Sequence, residues 1–313
     1  MKINKPNFWD NKIGLFATIL LPLSLIYTLL VFLKKKFTRP QVFNIPIICV
    51  GNIYIGGTGK TPVSLLLSKE LKNLNKKPTI IRKYYENHLD EYNLIKSNTV
   101  NLITCNNRID GIKVAEKNNF NTAILDDGFQ DYKIKKDLNI VCFNNNQLIG
   151  NGLILPAGPL RESLNSLKNA DMIVINGKKD KYFEDKILNI NSKLEIFYSF
   201  YKPMNLDRFK NQKLFAIAGI GNPKNFFKLI EDNNLIIEKK FIFPDHYKFS
   251  KDEIQNIIKD SENNNCQILM TEKDYFKVNH FNFRNINYLK VKLEIKDIER
   301  FKSKIKKIYD KNN

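Results

Sequence analysis

Cysteine is scarce in this chain and badly spaced for chemistry. Of 313 residues only Cys49, Cys105, Cys142 and Cys266 are cysteine, and no two make a C-x-x-C pair. That spacing argues against a thiolate metal site and against a disulfide framework. Cys49 and Cys142 lie inside apolar runs and read as reduced core residues in a reducing compartment. Histidine is rarer still, at three. No internal repeat occurs, and the Asn- and Lys-rich stretches near 144–147 and 262–265 read as ordinary loops. Negative charge is also in short supply: 32 acidic residues face 51 Lys and Arg, a formal net charge of +19. Lysines scattered over solvated faces account for most of that excess. The remainder points to phosphate-bearing partners, either nucleic acid or an anionic membrane surface. No basic–aromatic stripe or binding module supports nucleic acid. At 43% hydrophobic and 27% charged, the chain is globular and long enough for one large domain or two ordinary ones.

Between Ile13 and Leu33 charge disappears altogether. As a helix those residues reach roughly 31 Å, enough for a hydrocarbon layer of about 30 Å. Trp9 precedes the run, and Lys34, Lys35, Lys36 and Arg39 follow it. An aromatic at one end and a basic cluster at the other predict a membrane-associating segment over residues 1–40. The run is long for a cleaved signal peptide and no A-x-A-type site precedes the lysines, both of which argue against one. Pro22 leaves open whether the helix crosses the bilayer or lies in one leaflet. The basic cluster places the rest of the chain on the cytoplasmic side.

After residue 40 strand and helix signals alternate. Ile45–Ile53, Pro78–Arg82, Thr122–Leu125, Leu138–Phe143 and Met172–Ile175 read as strands, and Pro62–Leu74 as a helix. Alternation of this kind predicts βαβ units: an α/β fold with a parallel sheet and helices on both faces, spanning 41–203. A smaller α/β lobe over 204–313 follows, joined through Lys202–Lys210 and expected to close an active-site cleft. Its strands are Leu214–Ala218, Lys240–Phe243, Gln267–Met270 and Tyr288–Leu293. Ser250 and Glu253 form a capping box for a helix between the second and third of these.

A glycine is missing where the usual phosphate loop needs one. "GNIYIGGTGKTP" (51–62) has Tyr54 at the first position of G-x-x-x-x-G-K-[ST]. The rest of the apparatus is complete. Gly56, Gly57 and Gly59 let backbone N–H groups point at phosphate oxygens, Lys60 reaches the phosphates, and Thr61 offers a hydroxyl to Mg²⁺. A strand precedes the loop and a helix follows, adding the positive end of its dipole. The pattern is the deviant loop G-G-x-G-K-[ST], with Ile55 where a second lysine often stands. It predicts a nucleotide site over Tyr54, Ile55, Gly56, Gly57, Thr58, Gly59, Lys60 and Thr61. Because this loop type does without the missing glycine, Tyr54→Gly is expected to be tolerated. The second motif, "ILDDGFQ" (124–130), brings Asp126 and Asp127 to a strand end, where a carboxylate can reach Mg²⁺. These two motifs alone also allow a membrane-anchored ATPase or GTPase switch.

With "LPAGPLRE" (155–162), "FPDHY" (243–247) and "TEKD" (271–274) in the same order, the chain resembles the tetraacyldisaccharide 4'-kinase family of lipid A synthesis. The resemblance covers nearly everything beyond the anchor. It implies a lipid kinase that uses ATP and Mg²⁺ to phosphorylate the 4'-hydroxyl of an acylated disaccharide 1-phosphate. It also implies an acidic base paired with a histidine. The matching positions are Asp90, in "HLDEY", and His246, although "IRKYY" (81–85) departs from the family's usual segment before that base. From "LPAGPLRE" the resemblance takes Arg161 for charge stabilisation at the substrate and Glu162 for the metal shell, beside Thr61, Asp126 and Asp127. "TEKD" transposes the guanine-selecting motif and is given no base-selective role.

Overall fold

The computed structural model describes residues 6–10, 13–98, 100–245 and 247–310. The uncharged run forms one helix, α1 (Leu15–Phe37), that continues past Pro22. Ile47, Ile48, Cys49 and Val50 have no polar side chain to show to water, and β1 (Ile47–Gly51) is buried along its whole length. A glycine-rich loop then leads into α2 (Lys60–Asn73), followed by β2 (Pro78–Lys83), α3 (Leu89–Ser97), β3 (Leu102–Cys105), α4 (Arg108–Lys117), β4 (Thr122–Asp126) and β5 (Leu138–Asn144). Next come β6 (Met172–Asn176), α5 (Lys181–Leu188) and β7 (Glu195–Pro203). The remaining elements are β8 (Lys213–Ala218), α6 (Pro223–Glu231), β9 (Ile236–Ile242), α7 (Lys251–Asn263), β10 (Cys266–Thr271), α8 (Glu272–Val278), β11 (Ile286–Leu289), β12 (Val291–Ile295) and α9 (Ile298–Asp310).

Eight strands form one sheet in the order β12-β7-β6-β5-β1-β4-β2-β3, and every pair from β7 to β3 is parallel. Strands buried on both faces are what a parallel sheet requires, and the near-continuous apolar runs supply them. The order places β1 between β4 and β5, with Val50 aligned to Asp126. The loops leaving β1 and β4 therefore emerge side by side at one sheet edge. A second, four-stranded parallel sheet runs β11-β10-β8-β9.

The chain packs as two compact units. The first holds the described residues through Lys83, Val100–Phe200 and those from Glu294 onward; the second holds Tyr84–Thr99 and Tyr201–Leu293. A single division near residue 203 therefore misses two exchanges, each with a packing reason. In the first unit, Phe301 of α9 packs edge-on to Phe197 of β7, and the Tyr309 hydroxyl lies 2.7 Å from that of Thr122. In the second, α3 and α8 share the ion pairs described below.

Other local expectations also change. Tyr288–Leu293 is not one strand but the ends of β11 and β12, which belong to different sheets. The break falls at Lys290, whose N–H donates to the Asn205 side chain and whose carbonyl accepts from Met204. The Lys202–Lys210 stretch is no open linker, since β7 runs to Pro203 and Phe209 is buried in a short 3-10 turn. Ser250 caps α7 by accepting from the Glu253 N–H, while the Glu253 carboxylate accepts from the Tyr247 hydroxyl. Cys49 and Cys142 are free and buried, as their surroundings imply.

Candidate active site

The loop between β1 and α2 owes its shape to two glycines in conformations that other residues rarely adopt, Gly56 at φ 111° and Gly59 at φ 90°. Asn52 braces it from inside: its side-chain amide donates to the Gly56 carbonyl (3.3 Å) and the Thr58 hydroxyl (2.9 Å). Gln130 in turn donates to the Asn52 carbonyl at 2.8 Å, tying the DDGFQ turn to the loop. Gly51 is required for the same contact, because a Cβ there would meet the Phe129 Cβ at 2.4 Å. Lys60 and Thr61 open α2, where the first backbone N–H groups lack helical partners and a positive dipole end faces outward.

Parallel register puts Asp126 beside this helix start. The Thr61 hydroxyl donates to Asp126 Oδ2 at 3.0 Å and Ser64 to Oδ1 at 3.4 Å. Arg82, from the end of β2, donates from Nη1 to the same Oδ2 at 2.6 Å and to Thr61 Oγ1 at 3.1 Å. Asp127 goes elsewhere. Its left-handed backbone (φ 57°) turns it from its neighbour toward two cations, Lys60 Nζ at 3.7 Å and Arg161 Nη1 at 3.1 Å. Burial alone would raise the Asp127 pKa, but Lys60 and then Arg161 outweigh it and hold the group down at about 2. Burial lowers the Lys60 pKa, and Asp127 partly restores it. Arg108, at the start of α4, clamps the turn by donating to the carbonyls of Asp126 (2.9 Å) and Asp127 (2.8 Å).

The LPAGPLRE segment joins the loop through its backbone. Ile55 N–H donates to the Pro159 carbonyl at 2.9 Å, and Arg161 N–H to the Ile53 carbonyl at 2.7 Å. Tyr54 pairs with Leu160 between these contacts and is fully buried, its hydroxyl donating to Asp10 at 3.2 Å. Tolerance of glycine at position 54 is thus not expected after all: the ring fills space between the loop and the N-terminal segment. Glu162 is buried, and its carboxylate acts on the Tyr132 phenol and also on Tyr27 and Lys136. Burial raises the Tyr132 phenol, and the Glu162 carboxylate adds to that.

Thr61 and Asp126 present the hard oxygen donors that Mg²⁺ takes. Among the described residues no three His, Cys, Asp or Glu side chains gather closely enough to hold a metal ion. A hydroxyl and one carboxylate, completed by phosphate oxygens and water, is the donor set Mg²⁺ commonly uses, so the residues fit it.

In the second unit, Asp90 sits buried at the start of α3, 3.7 Å from Lys273 Nζ and 4.0 Å from Lys277 Nζ of α8. Lys273 also pairs with Glu91 (3.0 Å) and Asp245 (3.1 Å). Thr271 and Asp274 of "TEKD" fold this corner: Asp274 accepts from the Thr271 hydroxyl, the Gly219 N–H and Lys277. The motif thus aims lysines at Asp90. His246 lies outside the described residues. Arg82, Arg108, Lys273 and Lys277 escaped the sequence reading. Their available signal was position alone: basic residues at a strand end, at a helix start and at an i, i+4 spacing.

The family model for tetraacyldisaccharide-1-P 4'-kinase matches residues 16–310. A protein named tetraacyldisaccharide 4'-kinase from Pelagibacter ubique (strain HTCC1062) is 41% identical over the whole of both chains. One of the same name from Rickettsia bellii (strain OSU 85-389) is 33% identical, covering 89% of this chain and 90% of that one. The crystal structure of the Aquifex aeolicus protein in complex with ATP superposes with a TM-score of 0.74 at 25% identity, covering 94% of this chain and 99% of that one.

Proposed function

This chain belongs to the tetraacyldisaccharide-1-P 4'-kinase family, and from that premise we propose that it transfers the γ-phosphoryl group of ATP to the 4'-hydroxyl of a tetraacylated glucosamine disaccharide 1-phosphate. The observation that carries the reading is the convergence of Lys60, the Thr61–Asp126 pair and the start of α2 on one loop end. The helix start and Lys60 bind phosphates, and release of Lys60 from Asp127 frees its charge for the transferring group. Thr61 and Asp126 would hold Mg²⁺, which neutralises phosphate charge. Arg161, now tied to Asp127, is proposed to meet the substrate. Asp127 keeps both cations in place until phosphates arrive, and Glu162 is proposed to complete the metal shell beside Thr61 and Asp126. Asp90, with His246 as partner, is proposed to take the proton from the attacking hydroxyl.

We further propose that α1 attaches the enzyme along one leaflet, at the cytoplasmic face of the inner membrane. Ala17 and Ser24 are buried, and Ser24 is tied at mid-helix: it donates to the Ile154 carbonyl and accepts from the Ala157 N–H. Lys35 lies 5.7 Å over the Tyr132 ring. From position 17 to 35 the helix therefore follows its own unit for roughly 27 Å. The other side, with Phe16, Ile19, Leu23, Ile26, Leu30 and Phe37, is exposed and apolar. A helix bound along its flank cannot be ringed by lipid unless its loop enters too, and unpaired loop backbone is costly there. Acyl chains keep the substrate in the membrane at about 0.8 kcal/mol per CH₂, so the enzyme must meet it at the interface.

The decisive experiment incubates radiolabelled ATP with the tetraacyl disaccharide phosphate in vesicles, with a soluble sugar as control acceptor. Label should enter the lipid alone. Equal labelling of the soluble sugar, or none of the lipid, would refute the reading.

A further inference from the structure

Arg82 stands where a metal ion is expected. Its guanidinium Nη1 reaches both Asp126 Oδ2 (2.6 Å) and Thr61 Oγ1 (3.1 Å), while those two oxygens lie 3.0 Å from each other. Asp126 is completely buried and Arg82 almost so. A buried carboxylate left without a cation is costly, so some positive group must balance it before nucleotide binds. Mg²⁺ bonds its oxygens at about 2.0–2.1 Å. An ion on both oxygens would lie within about 4 Å of Nη1, and two cations that close repel strongly in a low-dielectric site.

We infer that Arg82 is the resident counter-cation of the metal seat. It orders Asp126 and Thr61 while the loop is empty, and it leaves them when Mg²⁺ enters with the nucleotide. The incoming phosphates offer the displaced guanidinium bidentate partners in place of the carboxylate it gives up. Metal and nucleotide are then coupled: Mg²⁺ alone must expel a charged side chain before any phosphate is there to receive it. Arg82 is a positioning residue in this exchange, and the inference rests on the kinase reading for the identity of the metal and nucleotide.

The test uses Mn²⁺ as a paramagnetic stand-in for Mg²⁺, titrated without nucleotide into the full-length protein and followed by water-proton relaxation. Wild type should bind weakly. Arg82→Lys, whose single ammonium cannot match the two-point contact, should bind severalfold more tightly. Arg82→Met, which removes the charge and keeps the bulk, should gain at least about tenfold, or about 1.4 kcal/mol. Circular dichroism on each variant verifies the fold, and Arg82→Lys alone decides the matter should Arg82→Met fail to fold. A flat or reversed series, or no Mn²⁺ binding by any of the proteins, would overturn the inference. Phosphoryl transfer by wild type is measured separately: transfer with a flat series sinks only the role of Arg82, whereas absence of ATP binding and transfer sinks the kinase reading itself.

Discussion

Replacing Tyr54 with glycine is the sharpest trial of how the deviant loop is built. By motif alone the change restores the common pattern and should be harmless. By packing it should be severe, because the ring is fully buried and the residue pairs with Leu160 beside two backbone bonds to the LPAGPLRE segment. Emptying a site of this size costs about 3–5 kcal/mol, and glycine adds roughly 0.5–1 in lost backbone restriction. Taking about 4 kcal/mol and a urea dependence of about 2 kcal/mol per molar, the unfolding midpoint should fall by about 2 M. Tyr54→Phe keeps the ring and forfeits the bond to Asp10, so its loss should be near 1 kcal/mol. Nucleotide affinity measured well below the transition should drop for the glycine variant and hold for phenylalanine. Urea unfolding of the three proteins, followed by tryptophan fluorescence of Trp9, reports the difference directly, since Trp9 is buried and donates to the Pro156 carbonyl. A glycine variant with the wild-type midpoint would refute the packing account and reinstate the motif reading.

Lys60→Ala should lower turnover by roughly 10³-fold, the scale of lost phosphoryl-transfer electrostatics, and near-normal turnover would end its assignment. Asp127 carries a pH signature. Its folded pKa of about 2 lies below its ordinary 3.8, so its contribution is complete above pH 4 and is lost as pH falls through 2. That contribution is at most about 2 kcal/mol, reduced by the 30% exposure of the side chain. The stability gap between wild type and Asp127→Asn should therefore shrink from pH 5 to pH 2, and a constant gap would contradict the pairing with Lys60 and Arg161. Asp90→Asn should abolish most transfer while sparing ATP binding. Losses in Asp90→Asn and Lys273→Ala should also fall short of additive, because the lysine acts through that carboxylate. Strictly multiplicative losses would separate the two.

The apolar N-terminal helix, the parallel α/β plan and the phosphate loop were all readable in the sequence, because each rests on local pattern. An uncharged run of helical length, strands buried on both faces and glycines spaced before Lys60 and Thr61 need no distant partner to be recognised. Asp126 at a strand end belongs with them. Which aspartate serves which cation was decided only in three dimensions: the left-handed turn at Asp127 and the register of β1 on β4 send one carboxylate to Thr61 and the other to Lys60 and Arg161. Arg82 and Lys273 became visible for the same reason, since β2 and α8 bring them to carboxylates far away in sequence. Tyr54 shows the limit most clearly. A motif records what the backbone must do at a position, while burial is a property of everything folded against it, and at Tyr54 that includes Leu160 and Asp10, residues that sequence spacing cannot bring together.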